Sequence, residues 1–276
     1  MTSFCAPPRW NLLVVVPAHN ERDLVARTIE SVHRAIDGAS AKLAKSCLVI
    51  VADRCTDDTV DVAKRTISAT KPSHRTHQTM VAEAIARNVG SARSIGTSLG
   101  HTLLRGAAPR AIWVANTDAD TSVPSSWISD QIRWADKGYA AVAGIVGIDS
   151  FDDYPAGVER RFLETYTAKL PGEDVDHPHV HAANMGLRLD AYLATDGWAC
   201  ISRSEDRNLW TQLASRGYRT RAPSSLRVET SGRRRNRITD GFAASLAALA
   251  QSGVEHDGCA HTQLPRLTAS SGSVGY

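Results

Sequence analysis

Asp118 and Asp120 stand in the stretch AIWVANTDADTSVPSSW, residues 111–127, where an apolar run ends in two carboxylates separated only by Ala119. Residues two apart in an extended chain point the same way, so both carboxylates can aim at one point. Like charges that close repel unless a shared proton or a cation relieves them. A hard divalent ion takes oxygen ligands, commonly one or two carboxylates together with the phosphates of a substrate. The pair is therefore a candidate ion site; the plainer alternative is an Asx-turn closing a strand. Three more polar clusters follow apolar runs or loops: PAHNE (17–21), ADRCTDDT (52–59) and SEDRNLW (204–210). Asp53 can accept a hydrogen bond from an N–H on the edge of a base, and the flat ring of His19 can stack on that base.

The elements that must position these groups are legible from periodicity. NLLVVV (11–16), CLVIVAD (47–53) and RAIWVAN (110–116) are buried-strand patterns, with a shorter strand near QTMVAE (78–83) and another over YAAVAGIVGI (139–148). Between them, apolar residues at Leu24, Val25, Ile29, Val32 and Ile36 recur at helical spacing. Helices are also expected from Asp57, over about 88–104, and over PSSWISDQIRWADKG (124–138). Continuous apolar strands alternating with amphipathic helices predict an α/β fold, a mostly parallel central sheet with helices on both faces. Ligands bind such sheets beyond the C-terminal ends of the strands, which is where the polar clusters fall. The glycine fingerprint of a dinucleotide site is missing after the first strand, as is a Walker phosphate loop.

The second half is less regular. A helix is expected over about 155–170, then the loop PGEDVDHPHVHAANMG (171–186), short helices near RLDAYLAT and SEDRNLWTQLASRG, the basic segment SGRRRNR (231–237) and a last helix, ITDGFAASLAALA. The composition of residues 251–276 shifts to Gly, Ser, Thr and His and predicts a flexible tail. A formal net charge of +3 over 276 residues is too small to argue for nucleic acid or a membrane surface. The apolar runs fall short of the ~20 residues of a membrane helix. The N-terminus lacks a basic-then-apolar signal pattern, and five scattered cysteines show no C-x-x-C pair. A cytoplasmic protein with reduced thiols is the expectation.

With these residues in hand, the chain resembles the family 2 glycosyltransferases, the inverting group with the GT-A fold. VVVPAHNE resembles that family's P-x-Y-N-E signature, and VADRCTDDT its V-D-D-x-S-T-D-x-T segment through Asp53, Thr56, Asp57 and Thr59. ARNVGSAR resembles the A-R-N-x-G helix entry, NTDADT the D-x-D motif and SEDRNLW the E-D-x-x-L motif. The order holds from about Leu12 to Leu213. The resemblance implies a single domain over 1–250, with a nucleotide-binding half (10–150) and an acceptor half (151–250). It implies donor contacts from Pro17, His19, Glu21, Asp53, Arg93 and Asp118, with Arg87 the rival of Arg93. Asp118 and Asp120 would hold Mn2+ or Mg2+. Asp206, or alternatively Glu205, would be the general base, and Asn184 and Trp198 would border the acceptor.

The implied partners are a nucleotide-diphosphate sugar, by expectation a UDP-sugar, and an acceptor hydroxyl. Ala52, Arg54 and Cys55 depart from the family pattern where it bears on base preference. No Q-x-x-R-W follows Asp206, which argues against a processive synthase. Two other functions compete. A sugar-1-phosphate nucleotidyltransferase needs a glycine-rich loop that PAHNE does not supply, and a catalytically silent nucleotide-sugar binder would not need Asp118, Asp120 and Asp206 together. One of Arg233, Arg234, Arg235 and Arg237 would suit a phosphate through its guanidinium fork, against a solvated basic turn. His177, His179 and His181 are either pocket-lining or exposed loop residues, or supply an additional metal ligand.

Overall fold

The computed structural model describes residues 9–168, 170, 175–201 and 204–233. β1 (Trp10–Ala18), β2 (Leu43–Asp53), β3 (His77–Ala84) and β4 (Ile112–Asn116) are the four expected strands of the first half. They alternate with α1 (Val25–Gly38), α2 (Thr59–Ala69) and α3 (Val89–Leu103). The two-residue β5 (Thr121–Ser122) and α4 (Trp127–Asp136) follow, then β6 (Ala141–Ala143) and β7 (Ile145–Ile148). The second half adds α5 (Val158–Thr167), β8 (Met185–Arg188), α6 (Leu189–Leu193), α7 (Glu205–Ser215), β9 (Thr220–Arg221) and β10 (Arg227–Thr230). The helix read into ITDGFAASLAALA and the tail lie outside the described residues.

The strand order is β3-β2-β1-β4-β8-β6-β9, with β5-β10-β7 forming a second, three-stranded sheet. β3, β2, β1 and β4 pair in parallel; β8 runs antiparallel to both its neighbours, β4 and β6. β1 shows why both faces are covered. Leu12, Val14 and Val16 enter one core with Ile29 and Val32 of α1 and Ile128 and Ile132 of α4. Leu13 and Val15 enter the other, with Ala92 of α3, Leu189 of α6, and Leu209 and Leu213 of α7. Each such aliphatic side chain, fully buried, contributes roughly 1.5–3 kcal/mol. α3 lies close against the sheet because Gly100 has no side chain: a Cβ there would sit 2.1 Å from a Leu13 methyl.

The run YAAVAGIVGI, expected as one strand, breaks at Gly144 into β6 of the large sheet and β7 of the small one. The cause is local. Asn184 pushes its amide into the break, where a Cβ on Gly144 would lie 2.2 Å from Asn184 Nδ2. That amide donates to Ile145 O (2.9 Å) and Leu226 O (3.1 Å) and accepts from Trp127 Nε1 (2.9 Å). Asn184 thus ties both sheets to α4. No helix among the described residues is long and apolar enough to cross a membrane.

Candidate active site

β1 has β2 on one side and β4 on the other, so the chain changes winding direction between β1 and β4, and a crevice opens beyond their C-terminal ends. The loops there are stitched together by their own side chains. Asn20 Oδ1 accepts from Thr56 N (2.8 Å), and Thr59 Oγ1 accepts from Glu21 N (2.7 Å). Asp57 accepts from Thr59 N at 3.0 Å and from the Thr59 hydroxyl, closing the entry to α2. Thr56, Asp57 and Thr59 are therefore braces of the crevice. Asn20 (φ 55°), Arg54 (φ 48°) and Ser204 (φ 60°) are the left-handed non-glycine residues among those described. All three lie on loops at this rim, and backbone held in such conformations clusters at functional sites.

His19 is exposed, and its Nδ1 lies 2.6 Å from Asp53 O. A carbonyl only accepts, so Nδ1 carries the proton and the ring is fixed with its faces at the rim. Asp53 is buried at the end of β2, where its Oδ1 accepts from Ala86 N (2.8 Å) and Arg54 Nε (3.2 Å). Its neighbours Ala52 and Arg54, with Cys55, Glu83 and Ile85, line a hollow of about 310 Å3. Pro17 is buried in β1 just past the Val15–Asn116 pair that ends the β1–β4 ladder, so its missing N–H costs that ladder nothing.

The aspartate pair departs from expectation. The chain does not stay extended after β4: Thr121 N donates to Asp118 O (3.1 Å), and residues 118–121 form a turn. Two-residue spacing in a turn does not give a common direction, and the carboxylates take different partners. Asp118 Oδ1 receives Arg93 Nη2 at 2.6 Å, and its side chain is 36% exposed. Asp120 is 3% exposed, its Oδ1 accepting from the hydroxyls of Thr230 (3.1 Å) and Thr121 (3.4 Å). Its carbonyl takes Arg27 Nη2 and Ser231 N. Thr230 and Ser231 escaped sequence reasoning because nothing local marks them; they meet Asp120 across more than a hundred residues. Among the described residues no group of three or more His, Cys, Asp or Glu is arranged to hold a metal ion. Asp118, a hard oxygen donor at the rim, fits an ion that takes one carboxylate and completes its shell with phosphates. Asp120 is turned inward.

Arg93 was expected to reach the donor. It is instead 2% exposed, its fork closed on Asp118 and on Glu205 Oε1 (Nη1, 2.8 Å). Arg87, its rival, is exposed. Burial pushes the Glu205 carboxyl above its ordinary pKa, Arg93 opposes that shift, and Asp206 and Asp118 add to it. Asp206, half-buried in the first turn of α7, accepts from Arg207 N (2.7 Å) and Ala182 N (3.1 Å). Ser204 occupies the cap position but makes no side-chain cap bond.

The two residues expected to border the acceptor are both buried. Asn184 is wholly buried and committed to the inter-sheet node. Trp198, 5% exposed, packs inward with its ring centroid 5.3 Å from the Arg93 guanidinium. Glu21 is engaged by Arg233; Arg234, Arg235 and Arg237 lie outside the described residues. His179 stacks on Tyr166 at 4.0 Å and lies 6.0 Å from His181 in a second stacked pair. Burial, with His179, His177 and Arg207 nearby, pushes His181 down to about 3.

A wound sheet with polar side chains gathered beyond its central strands is an α/β architecture that takes ligands at its switch point. The chain belongs to glycosyl transferase family 2, whose model matches residues 13–193. Among solved structures it is similar to the mannosyltransferase PcManGT from Pyrobaculum calidifontis in complex with GDP-Man and Mn2+. That likeness has 20% identity and a TM-score of 0.61, and covers 84% of this chain and 60% of that one. It is also similar to residues 1–349 of S. aureus TarS, solved with UDP, at 12% identity and TM-score 0.55, covering 80% of this chain. The chain spans 60% of the length of both. No curated protein sequence matches it significantly.

Proposed function

We propose that the protein is an inverting glycosyltransferase that moves a sugar from a nucleotide-diphosphate donor, by preference UDP-linked, to an acceptor hydroxyl. The observation that carries this reading is the convergence of Asp118 and the Asp206-bearing start of α7 beyond the β1–β4 switch point, joined there through Arg93. His19 stacks on the base, and Asp53 receives a base N–H beside the hollow at the ends of β2 and β3. Arg87, exposed at the entry to α3, supplies the outward-facing guanidinium for the donor.

Asp206 takes the proton of the acceptor hydroxyl as it attacks the anomeric carbon from the face opposite the nucleotide. A positioned base of this kind contributes roughly 10²–10⁴-fold to rate. Two backbone N–H donors aim the carboxylate. Mn2+ or Mg2+, held by Asp118 and by Asp120 if its side chain rotates outward, would offset charge on the departing diphosphate. The mannosyltransferase relative was solved with GDP-Man and Mn2+, and TarS with UDP, so uridine and guanosine are the two bases to separate.

Thermal-shift and calorimetric titration with UDP, GDP, TDP and CDP, each with and without Mn2+ or Mg2+, tests the reading, followed by turnover of the matching sugar nucleotides. Metal-dependent binding of one nucleoside diphosphate and release of it from its sugar nucleotide are expected. Pyrophosphate release from a nucleoside triphosphate, or no binding of any donor, would overturn it.

A further inference from the structure

We propose that Arg93 is a positioning residue, one buried cation that sets the donor-side carboxylate Asp118 and the general-base helix α7 relative to each other. The proposal rests on the glycosyltransferase reading and deepens it. Three segments distant in sequence meet at this guanidinium: α3, the turn after β4 and the start of α7. Nη2 holds Asp118 Oδ1 at 2.6 Å, and Nη1 holds Glu205 Oε1 at 2.8 Å. Trp198 closes the guanidinium over at 5.3 Å.

A donor ligand in the usual sense needs N–H groups that face the crevice. Arg93 has its fork spent on two carboxylates, and its side chain is 3% exposed. Pulling it out would leave Glu205 without its compensating charge in a buried setting. The surroundings fix the junction further. Asn88 caps α3 by accepting from Ser91 N (2.8 Å), and its amide donates to Cys200 Sγ (3.4 Å). Gly90 lets the first turn of α3 lie against Ala199 and Glu205: a Cβ there would stand 2.6 Å from Ala199 O and 3.5 Å from Glu205 Cγ. Glu205 immediately precedes Asp206, so the place of the Glu205 carboxylate dictates where the first turn of α7 begins. Only a planar fork makes both contacts at once; a lysine ammonium is a point charge and makes one well.

The test compares the full-length protein with Arg93→Gln, Arg93→Lys, Glu205→Gln and the Arg93→Gln/Glu205→Gln pair. Amide hydrogen exchange at Ala182 reads the place of Asp206 directly, because that N–H is bonded to Asp206 Oδ2 (3.1 Å), and needs no activity. Arg93→Gln is expected to speed exchange at Ala182 at least tenfold while amides of β1 and β2 stay protected. In turnover of the donor found above, kcat should fall at least a hundredfold with the metal-free nucleotide Kd changed less than about threefold, and Arg93→Lys should fall between. The double variant removes the uncompensated carboxylate, so it regains thermal stability without regaining kcat or Ala182 protection.

Unchanged Ala182 exchange in Arg93→Gln overturns the proposal, whatever the activity. Recovery of kcat together with stability in the double variant makes Arg93 a mere brace and also overturns it. A tenfold weaker metal-free Kd at unchanged kcat makes it a donor ligand instead. Absence of turnover in the wild type refutes the glycosyltransferase reading separately, and the exchange experiment still decides whether Arg93 sets α7.

Discussion

Replacing Asn184 with alanine separates the two roles this residue has been given, acceptor contact and inter-sheet node. The wild-type amide satisfies the Trp127 indole N–H and bonds Ile145 O and Leu226 O, all buried. Alanine leaves the indole N–H with no partner, a desolvation cost of about 1–3 kcal/mol, and strips one bond of about 0.5–1.5 kcal/mol from each carbonyl. Leu226 O keeps Ile145 N at 2.8 Å, which places its loss at the low end. The sum is roughly 2–5 kcal/mol, its upper part near the top of what single substitutions do. At roughly 2–4 °C per kcal/mol for a chain of this size, the melting temperature drops by about 4–20 °C. Asn184→Asp, nearly isosteric, sets an oxygen against two carbonyl oxygens and should be no milder than alanine. Differential scanning calorimetry gives the stability, and acceptor titration of the folded fraction gives KM. A near-wild-type melting temperature with a raised acceptor KM would refute the node and restore the acceptor contact.

Asp206→Asn should lower kcat by about 10²–10⁴-fold with nucleotide Kd unchanged, measured by release of the nucleoside diphosphate; full activity would remove Asp206 as the base. Asp118→Asn should abolish the gain in nucleotide affinity conferred by Mn2+, while Asp120→Asn should have the smaller effect because its carboxylate is turned to Thr230; the opposite ranking in calorimetric titration would reverse the ligand assignment. Stability should also fall on acidification. His33 Nδ1 donates to Thr70 O, so Nε2 can only accept from the Thr79 hydroxyl, which in turn accepts from His77 Nε2 at 2.7 Å; His77 Nδ1 then accepts from Ser46 Oγ at 2.9 Å. Burial first, then His33 and His74, push His77 down to about 3. The unfolded chain therefore binds the extra proton below pH 6.5 and the folded chain does not. The His77 contribution is flat above that value and declines by about 1.4 kcal/mol per unit toward pH 3. His77→Gln should flatten part of that slope in urea melts at pH 7, 6 and 5, and an unaltered slope would refute the assignment.

Strand existence and direction were legible because β1 is apolar at every position from Leu12 to Val16, which only a sheet covered on both faces requires. The helices read equally well, since α1 buries Val25, Ile29, Val32 and Ile36 as their spacing demands. Rim positions were legible because each follows the end of an apolar strand run: His19 follows β1, Asp53 closes β2 and Asp118 follows β4. Direction at the rim was not legible. Asp118 and Asp120 diverge because a single bond from Thr121 N to Asp118 O turns extended chain into a turn. The partners that then select each carboxylate, Arg93 and Thr230, come from α3 and β10. Arg93 and Trp198 read outward by family resemblance and point inward because α7 brings Glu205 against them, a contact with no local trace in either segment. Asn184 shows the same limit from the other side. A polar residue in a glycine-bearing loop looks like a binding group until β7 leaves the large sheet at Gly144 and two carbonyls and an indole N–H are left needing one amide. Spacing therefore tells which residues reach the rim, and the buried partner that each long-range contact supplies decides whether a polar side chain faces substrate or holds the frame.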